Sequence, residues 1–353
     1  MIMNGNPAKK TANNDNMKIL GIESSCDETA ASVVQSGSRV LSSVVASQVK
    51  IHGPYGGVVP ELASRKHMEA VVPVVDEAIV KAGLKKHELD AVAVTQGPGL
   101  VGALLVGFSF AKSFAYALKK PYVGVNHLEA HLNSVFLEPE PPPFPFVSLL
   151  VSGGHTAIYD VQSHTDAILM GQTRDDAAGE AFDKVAKMLG LGYPGGAIID
   201  RLSKKGDPEK IHFPRTYLDK QSYDFSFSGI KTAVNRYIQA NMHQYEEQIN
   251  DIVAAFQEAV VEVLCFKIIN AAKNKGYHHI SIVGGAAANS RLREEVNRQA
   301  RKESLSVHIP SISLCGDNAA MVAASGYHRL LQGEKCSRDA DVYSRAIVLN
   351  AKC

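Results

Sequence analysis

The sequence predicts an α/β protein of two lobes, and three observations predict it. An acid-rich turn joins two short strand patterns near the start of the chain, at residues 18–34. A second pair of strand patterns, joined by adjacent glycines at 153 and 154, follows the proline-rich segment 138–145. A third strand pattern runs through adjacent glycines at 284 and 285 into a helical pattern. Strands that alternate with helices in this way are typical of α/β folds.

Composition limits the class of protein. The 353 residues are 45% hydrophobic and 21% charged, with a net charge of +1. That length is enough for two domains of ordinary size, and no apolar run approaches the roughly 18 residues of a membrane span. Five cysteines without a CxxC pair favour a reducing cytoplasm. The near-neutral charge argues against a protein that binds nucleic acid over its whole surface.

The domain division follows from the ends and the linker. Residues 1–16 are rich in Asn, Ala and Lys, lack the apolar core of a secretion signal, and are expected to be a disordered extension. Residues 138–145 read Glu-Pro-Glu-Pro-Pro-Pro-Phe-Pro, which excludes a helix and predicts a stiff linker. We therefore expect one lobe at 17–140, a second at 141–335 and a tail at 336–353.

Three acids crowd the first turn. Glu23, Asp27 and Glu28 lie between the two strands predicted in residues 18–34. Such a cluster is either a solvated loop or a place where a cation or a proton is handled. Further along, Arg65 and Lys66 begin a cationic triplet that ends with a histidine, and it predicts either a phosphate contact or a solvated helix face.

A glycine pattern follows the next strand. Residues 97–102 match GxGxxG after a strand and before an apolar helix, so a dinucleotide-binding fold must be considered. The following strand ends in Asn126 and His127, where a ribose-binding acid would be expected, and Pro98 removes an amide donor from the turn. We interpret these glycines as a tight strand-to-helix turn.

The segment Asn-His-Leu-Glu-Ala-His, residues 126–131, contains the candidate metal ligands. His127 and His131 are four residues apart, so on a helix their rings lie about 40° apart on one face. This spacing suits two metal ligands, although ordinary core or surface histidines also occur at it. Glu129 is about 200° round the helix from His127, which does not match the HExxH order of a zinc protease.

A third ligand must come from elsewhere in the chain, and Asp317 is the candidate. It precedes an alanine-rich helical pattern, so it could alternatively cap that helix. Two imidazoles and one carboxylate suit Zn(II) or Fe(II) and leave positions open for substrate. The ligand types do not distinguish these two metals.

Three loops in the second half could contact a nucleotide. Backbone amides in the turn at 152–156 could approach an anion, and the glycine pair at 284–285 precedes a helix N-terminus, although both patterns also occur in ordinary hairpins and α/β turns. Asp183 and Asp200 lie on either side of the loop 192–196 and could flank one pocket.

Taken in order, these turns are typical of the two-lobed α/β fold shared by actin, sugar kinases and the heat-shock ATPases, which is built from two ribonuclease-H-like domains with nucleotide in the cleft. Residues 17–327 more closely resemble the tRNA threonylcarbamoyladenosine transferases, once labelled O-sialoglycoprotein endopeptidases, and the motif wording is similar to bacterial members. The motifs that carry this resemblance are Gly21-Ile-Glu-Ser-Ser-Cys-Asp-Glu-Thr29, Asn126-His-Leu-Glu-Ala-His131, Val151-Ser-Gly-Gly-His-Thr156, Gly179-Glu-Ala-Phe-Asp-Lys184, Gly192-Tyr-Pro-Gly-Gly196, Ala288-Asn-Ser-Arg-Leu-Arg293 and Asp317-Asn-Ala-Ala-Met321.

Two positions differ from the residues usual in the family's motifs. Ala197 stands where the family usually has proline, and Gly316 stands where it usually has threonine. Neither change removes a candidate ligand, but Gly316 precedes Asp317 and could loosen the turn that presents it.

The resemblance implies an activity and a mechanism. It implies transfer of a threonylcarbamoyl group from threonylcarbamoyl-AMP to N6 of adenosine 37 in tRNAs that read codons beginning with A. One divalent metal per subunit, Fe(II) or Zn(II), would be held by His127, His131 and Asp317. Asp27, or alternatively Glu28, would be the catalytic base, although an ordinary carboxylate is a weak base for an amine proton.

The resemblance also implies how the donor binds and which proteins assist. Asp183 and Asp200 would bind ribose hydroxyls, and Gly196 and Asn289 would contact the adenosine. Expected partners in a cytoplasmic pathway without membrane attachment are tRNA, a shorter actin-like paralogue in a heterodimer, a small P-loop ATPase and a threonylcarbamoyl-AMP synthase. The remaining donor contacts would come from Leu150, Val151, Ser152, Gly153, Gly154 and Gly285.

Two other classes of function remain as alternatives. A metal-dependent glycoprotein endopeptidase would use the same histidines, but the sequence lacks an HExxH base and disulfides. A noncatalytic actin-like ATP-binding protein or a sugar kinase would share the fold. A kinase should have a catalytic aspartate in a phosphate-transfer loop without a histidine pair on the cleft helix.

Overall fold

The computed structural model describes residues 16–219 and 221–345. The predicted extension therefore lies outside the described residues up to residue 15, and the predicted tail lies outside them from residue 346. Three cores of apolar residues fill the two lobes, and a fourth lies beneath the linker between them.

The first lobe is built on a five-stranded sheet of order β3-β2-β1-β4-β5. The first three strands form an antiparallel meander, and β4 and β5 extend the sheet in parallel with β1. β4 is buried along its whole length, as expected for a parallel strand covered on both faces. The strands are β1 (Lys18–Glu23), β2 (Glu28–Gln35), β3 (Arg39–Ser47), β4 (Ala91–Gly97) and β5 (Tyr122–Asn126).

Helices of the first lobe connect these strands. The two long ones pack against each other and against the sheet, with the apolar side of each facing β2 or β4. The helix that contains the histidine pair follows β5 directly, without an intervening loop. The helices are α1 (Val49–His52), α2 (Pro60–Lys81), α3 (Val101–Leu118) and α4 (His127–Asn133).

The second lobe repeats this topology. Its sheet has the order β8-β7-β6-β9-β10, again with an antiparallel meander followed by two parallel strands. Its strands are β6 (Phe146–Val151), β7 (Thr156–Ser163), β8 (Asp166–Gln172), β9 (His279–Val283) and β10 (Ser306–His308). The later helices are α5 (Ala178–Met188), α6 (Gly195–Ser203), α7 (Ser228–Ala240), α8 (Ile249–Lys275), α9 (Ser290–Lys302), α10 (Ile312–Cys315) and α11 (Ala319–Leu331).

The repeated strand order confirms the predicted fold class of two ribonuclease-H-like domains. In each lobe the turn between the first two strands lies at the same position: residues 24–27 join β1 to β2, and residues 152–155 join β6 to β7. The acid-rich turn and the glycine-histidine turn are thus equivalent features of the two lobes.

The last described helix packs on the first sheet. α11 contacts β1, β2, β4 and β5, although its residues fall within the range 141–335 predicted for the second lobe. Gly21 of β1 permits this approach, since a Cβ there would lie 2.1 Å from the carbonyl oxygen of Ala319. The chain therefore returns to the first lobe immediately after Asp317.

The next segment continues along the first sheet. Tyr122 donates a hydrogen bond to the Ser337 carbonyl at 2.6 Å, and Gln96 donates one to the Asp341 carbonyl at 2.7 Å. These contacts hold the described part of the predicted tail against β4 and β5.

The apolar helix predicted after the glycine turn at 97–102 spans Val101–Leu118, 18 residues. By length and composition alone, Val101–Leu118 is the single candidate for a membrane span in the described part of the chain, with a third of it buried. It packs against α2 and β4, and its buried residues belong to the core of the first lobe. Within the lobe it therefore occupies the place of a core helix.

Candidate metal site and nucleotide cleft

Three side chains predicted as metal ligands lie together where α4 meets the start of α11. His131 Nε2 is 3.1 Å and His127 Nε2 is 3.6 Å from the same carboxylate oxygen of Asp317. One ligand atom from each residue lies within 4.8 Å of the others, and both histidines are buried. Two imidazoles and a carboxylate at this separation fit a divalent transition metal such as Zn(II) or Fe(II).

Each ligand is placed by a helix end. The Asn126 side chain caps α4 by accepting hydrogen bonds from the amides of Leu128 and Glu129, which fixes His127 as the first residue of the helix. At α11 the cap is Asn318, whose side chain accepts from the Met321 amide at 3.0 Å. The alternative that Asp317 is the cap is therefore wrong, and its carboxylate points to the histidines instead.

Charge is concentrated at this site. Burial alone would raise the pKa of Asp317, but the adjacent His127 and His131 hold it well below its usual range. Burial alone would lower the pKa of His127, yet the charges of Asp317 and Glu23 raise it to about 9. The pocket thus stabilises positive charge between its carboxylates, which is what a bound cation requires.

Glu129, the acid between the two histidines, faces away from them as predicted. It forms a buried ion pair with Arg329 of α11, in which Arg329 Nε donates to Oε1 at 2.8 Å and Nη2 donates to Oε2. Both side chains are less than a tenth exposed. Glu129 therefore ties α4 to α11 and is not available as a general base for peptide hydrolysis.

A cavity of about 450 Å³ is lined mainly by the second lobe, and none of the three candidate ligands is among its lining residues. Its volume falls within the range of small-molecule pockets. Eight of the predicted site residues line it: Asp27, Val151, Gly153, Asp183, Gly196, Asp200, Gly285 and Asn289. Asp27 is the only one of the eight from the first lobe, so the cavity opens towards the acidic turn.

The polar wall of this cavity is held by helix ends. Asp183 accepts a hydrogen bond from the Gly195 amide at 2.7 Å at the start of α6. Asp200 accepts from the amide and the hydroxyl of Ser290 at the start of α9. Since α6 begins at Gly195, Asp200 lies in its second turn.

Asn289 caps α9 by accepting from the Leu292 amide, and its amide nitrogen donates to Gln257 at 2.7 Å. Gly284 brings this turn against β6, since a Cβ there would lie 2.5 Å from the Val151 carbonyl oxygen and its φ of +93° disfavours other residues. The glycine pair thus joins the two sides of the cavity.

Four predicted residues do not line the cavity. Leu150 is fully buried in the core between the lobes. Ser152 closes the turn by accepting a hydrogen bond from the His155 amide at 3.1 Å, and Gly154 is exposed. The fourth is Glu28, which starts β2 next to Asp27.

The acidic turn contains two carboxylates with altered acidity. Burial raises the pKa of Asp27, and burial raises that of Glu28 to about 7. Glu28 Oε1 accepts a hydrogen bond from Ser47 at 2.8 Å, whereas its buried Oε2 has no partner among the described residues. A carboxylate with these properties can accept a proton near neutral pH.

The first two members of the cationic triplet lie on an exposed helix face. Arg65 pairs with Glu61 and Lys66 with Glu69 on the exposed face of α2, which is the predicted alternative of a solvated face. His67 is buried and donates to the Cys26 carbonyl at 3.0 Å, so it supports the acidic turn. The glycine loop at 97–102 supports the same turn, because the Leu100 amide donates to the Ser25 carbonyl at 2.8 Å.

Sequence reasoning missed two residues of this cleft. Burial lowers the pKa of His155 to about 4, and the charges of His127 and His131 act in the same direction. Tyr193 lines the cavity. Its burial raises its pKa, and the negative charge of Asp27 raises it further. Both residues lie in motifs that carry the family resemblance, and those motifs could have identified them as site residues.

A duplicated ribonuclease-H-like fold, with a cavity in the second lobe that Asp27 of the first lobe also lines, defines the class of two-lobed, actin-like proteins. Within that class, the family model for tRNA N6-adenosine threonylcarbamoyltransferase matches residues 39–324. A protein of this name from Desulforapulum autotrophicum is 57% identical over 329 residues, which cover 93% of this chain and 99% of that protein. The chain therefore belongs to the tRNA N6-adenosine threonylcarbamoyltransferase family.

More distant relatives agree. A protein of the same name from Clostridioides difficile is 50% identical over 316 residues, which cover 89% of this chain and 94% of that protein. Among solved structures, full-length HypF in its phosphate- and nucleotide-bound form aligns with a TM-score of 0.61 at 13% identity, over 91% of this chain and 47% of that one. At that identity the likeness supports the fold alone.

Proposed function

We propose that this protein transfers the threonylcarbamoyl group of threonylcarbamoyl-AMP to N6 of adenosine 37 in tRNAs that read codons beginning with A. One observation supports this most: the acidic segment 23–27 connects a His-His-Asp cluster to a nucleotide-sized cavity, because Glu23 contacts His127 and Asp27 lines the cavity. Membership of the family indicates that the acyl group is threonylcarbamoyl and that the acceptor is a tRNA adenosine. The alternatives of a peptidase, a kinase or a noncatalytic ATP-binding protein have no comparable support.

His127, His131 and Asp317 would hold one Fe(II) or Zn(II) ion. Such an ion supplies Lewis acidity that orients an acyl group and stabilises developing oxyanion charge. The protein contributes a site with two buried histidines and a carboxylate of opposite charge, where α4 meets the start of α11.

The cavity would hold the adenylate half of the donor. Val151 and Gly153 line it at the turn after β6, where backbone amides can approach a phosphate. Asp183 and Asp200 also line the cavity and would accept hydrogen bonds from ribose hydroxyls. Gly196 and Asn289 would contact the base, with AMP leaving as the amine attacks.

The acidic turn would take the proton of the adenine amine. Asp27 lines the cavity and is favoured by its position. Glu28, with a pKa raised to about 7, is favoured by its acidity, because a base works best with a pKa near the working pH. Separate Asp27→Asn and Glu28→Gln variants would distinguish the two residues in a transfer assay.

The protein would work with partners in the cell. A net charge of +1 suits a tRNA surface that another subunit helps to form. We propose a shorter actin-like paralogue as that subunit, in a heterodimer, together with a small P-loop ATPase and a synthase that supplies threonylcarbamoyl-AMP in the cytoplasm.

The test is a transfer assay with labelled threonine, bicarbonate, ATP, unmodified tRNA and the partner proteins, followed by digestion of the RNA to nucleosides. We expect labelled threonylcarbamoyladenosine from the native chain and a large loss in Asp317→Asn. Asp76→Asn, which removes a half-exposed acid from α2, is the control and should transfer normally. Correctly folded, metal-loaded protein that gives no labelled nucleoside would overturn the proposed function.

A further inference from the structure

Glu23 is a fully buried carboxylate that belongs neither to the ligand cluster nor to the lining of the cavity. It ends β1, has no exposed surface, and lies directly behind His127. Burial of a carboxylate is costly unless hydrogen-bond donors surround it. The donors around Glu23 therefore indicate what it does.

Three groups point at this carboxylate. Thr95 donates to Oε2 at 2.6 Å, and the Ser25 amide donates to Oε1 at 2.5 Å. His127 Nδ1 lies 3.1 Å from Oε2. An ionised carboxylate only accepts hydrogen bonds, so the Nδ1 atom of His127 must carry a proton.

This contact fixes the chemistry of the other ring nitrogen. With the proton on Nδ1, a neutral His127 has its lone pair on Nε2, which is the nitrogen 3.6 Å from Asp317. His131 lacks such support, because its buried Nδ1 has no partner among the described residues. The two histidines are thus held differently: Nδ1 of His127 contacts the Glu23 carboxylate, whereas Nδ1 of His131 has no hydrogen-bond partner among the described residues and only its Nε2 contacts Asp317.

We propose that Glu23 is the positioning residue for His127, accepting the Nδ1 proton so that Nε2 faces the metal position. This inference rests on the proposed metal site. Carboxylates that hold a ligating histidine in this way typically change metal affinity about 10- to 100-fold when they are removed. Glu23 directly precedes the turn that contains Asp27, so one segment would orient a ligand and supply the candidate base.

The test compares Zn(II) affinity of full-length native protein and Glu23→Gln, measured by competition with a chelator at one fixed pH. Because the Ser25 amide requires an oxygen, the new amide nitrogen would face His127 and Thr95 and favour the wrong ring tautomer. We expect affinity to fall about 10- to 100-fold. Asp160→Asn removes a buried acid that pairs with Lys275 on the second sheet, and should leave affinity unchanged.

A second measurement follows the Nδ1 proton of His127 directly, so a mere loss of stability would not give the same result. In the zinc-loaded native protein, nitrogen-15 NMR should show a slowly exchanging Nδ1 proton on His127, and Glu23→Gln should lose it. A folded Glu23→Gln protein with native affinity and an unchanged Nδ1 signal would overturn the positioning role. Native zinc affinity in His131→Ala would instead overturn the metal site on which the role depends, so the two failures are distinguishable.

Discussion

Gly316 lies in extended backbone just before the candidate ligand Asp317, with φ −74° and ψ 178°. A Cβ at this position would meet nothing within 4 Å. Any residue adopts this conformation without strain, so the glycine only adds conformational freedom to the unfolded chain. The departure from the family's usual threonine therefore costs stability without a compensating contact.

Gly316→Ala should raise the free energy of unfolding by about 0.4–1 kcal/mol, measured by urea denaturation. Gly276→Ala is the control, because Gly276 ends α8 with a φ of +68° that alanine adopts only with strain. That variant should be destabilised. Equal effects at the two glycines would contradict this account of the turn before Asp317.

Glu28 gives a second prediction, on stability against pH. Burial raises the pKa of its folded form to about 7 from an ordinary value of 4.5, so the folded state binds a proton more tightly than the unfolded state does. The contribution of Glu28 to stability is therefore present below pH 4.5 and is lost as pH rises to about 7.

Glu28→Gln cannot titrate, so its stability should fall less than that of the native protein between pH 4.5 and about 7. Unfolding curves of both proteins across this range measure the difference. Parallel curves would show that the carboxyl of Glu28 has an ordinary pKa, and would remove the acidity argument for Glu28 as the base.

At the scale of elements, the helices α4 and α11 decide whether the ligands meet. α4 supplies both histidines, and the turn before α11 supplies the carboxylate. The Glu129–Arg329 ion pair is the buried charged contact between these helices, and Arg329 also donates to Glu334 at 2.6 Å. A buried pair stabilises little by itself, but removal of one partner leaves the other charge unpaired.

Arg329→Met should lower the free energy of unfolding by about 3–5 kcal/mol, because it leaves Glu129 buried without a partner. Combining it with Glu129→Leu should recover much of that loss, as measured by urea denaturation. The comparison is Arg65→Met, which breaks an Arg–Glu pair that is more than half exposed and should cost at most about 1 kcal/mol. A loss no larger than that in Arg329→Met would contradict the role of the pair in joining the helices.

For the whole molecule, the fold class could be predicted because each lobe repeats one local pattern. The turn at 152–156 and the histidine spacing at 127 and 131 are short-range features, and the strand and helix periods around them are readable. The ligand set was also within reach, since His-Leu-Glu-Ala-His and the acid before an alanine-rich helix are both visible in the sequence.

Other features depend on contacts between distant segments. The return of α11 to the first sheet is set by packing of Gly21 against Ala319, almost 300 residues apart in sequence. The Glu129–Arg329 pair and the contact of Glu23 with His127 are likewise long-range. Charge and periodicity do not encode such partners, so the sequence indicated the residues of the site but not their supports.

The most direct test of the central claim is anomalous X-ray diffraction at the zinc edge, from crystals of the full chain grown with Zn(II). The two lobes should enclose one strong peak, bonded to Nε2 of His127, Nε2 of His131 and the carboxylate of Asp317. A fully folded protein whose map shows no peak at these three residues, or shows its zinc elsewhere, would contradict the account.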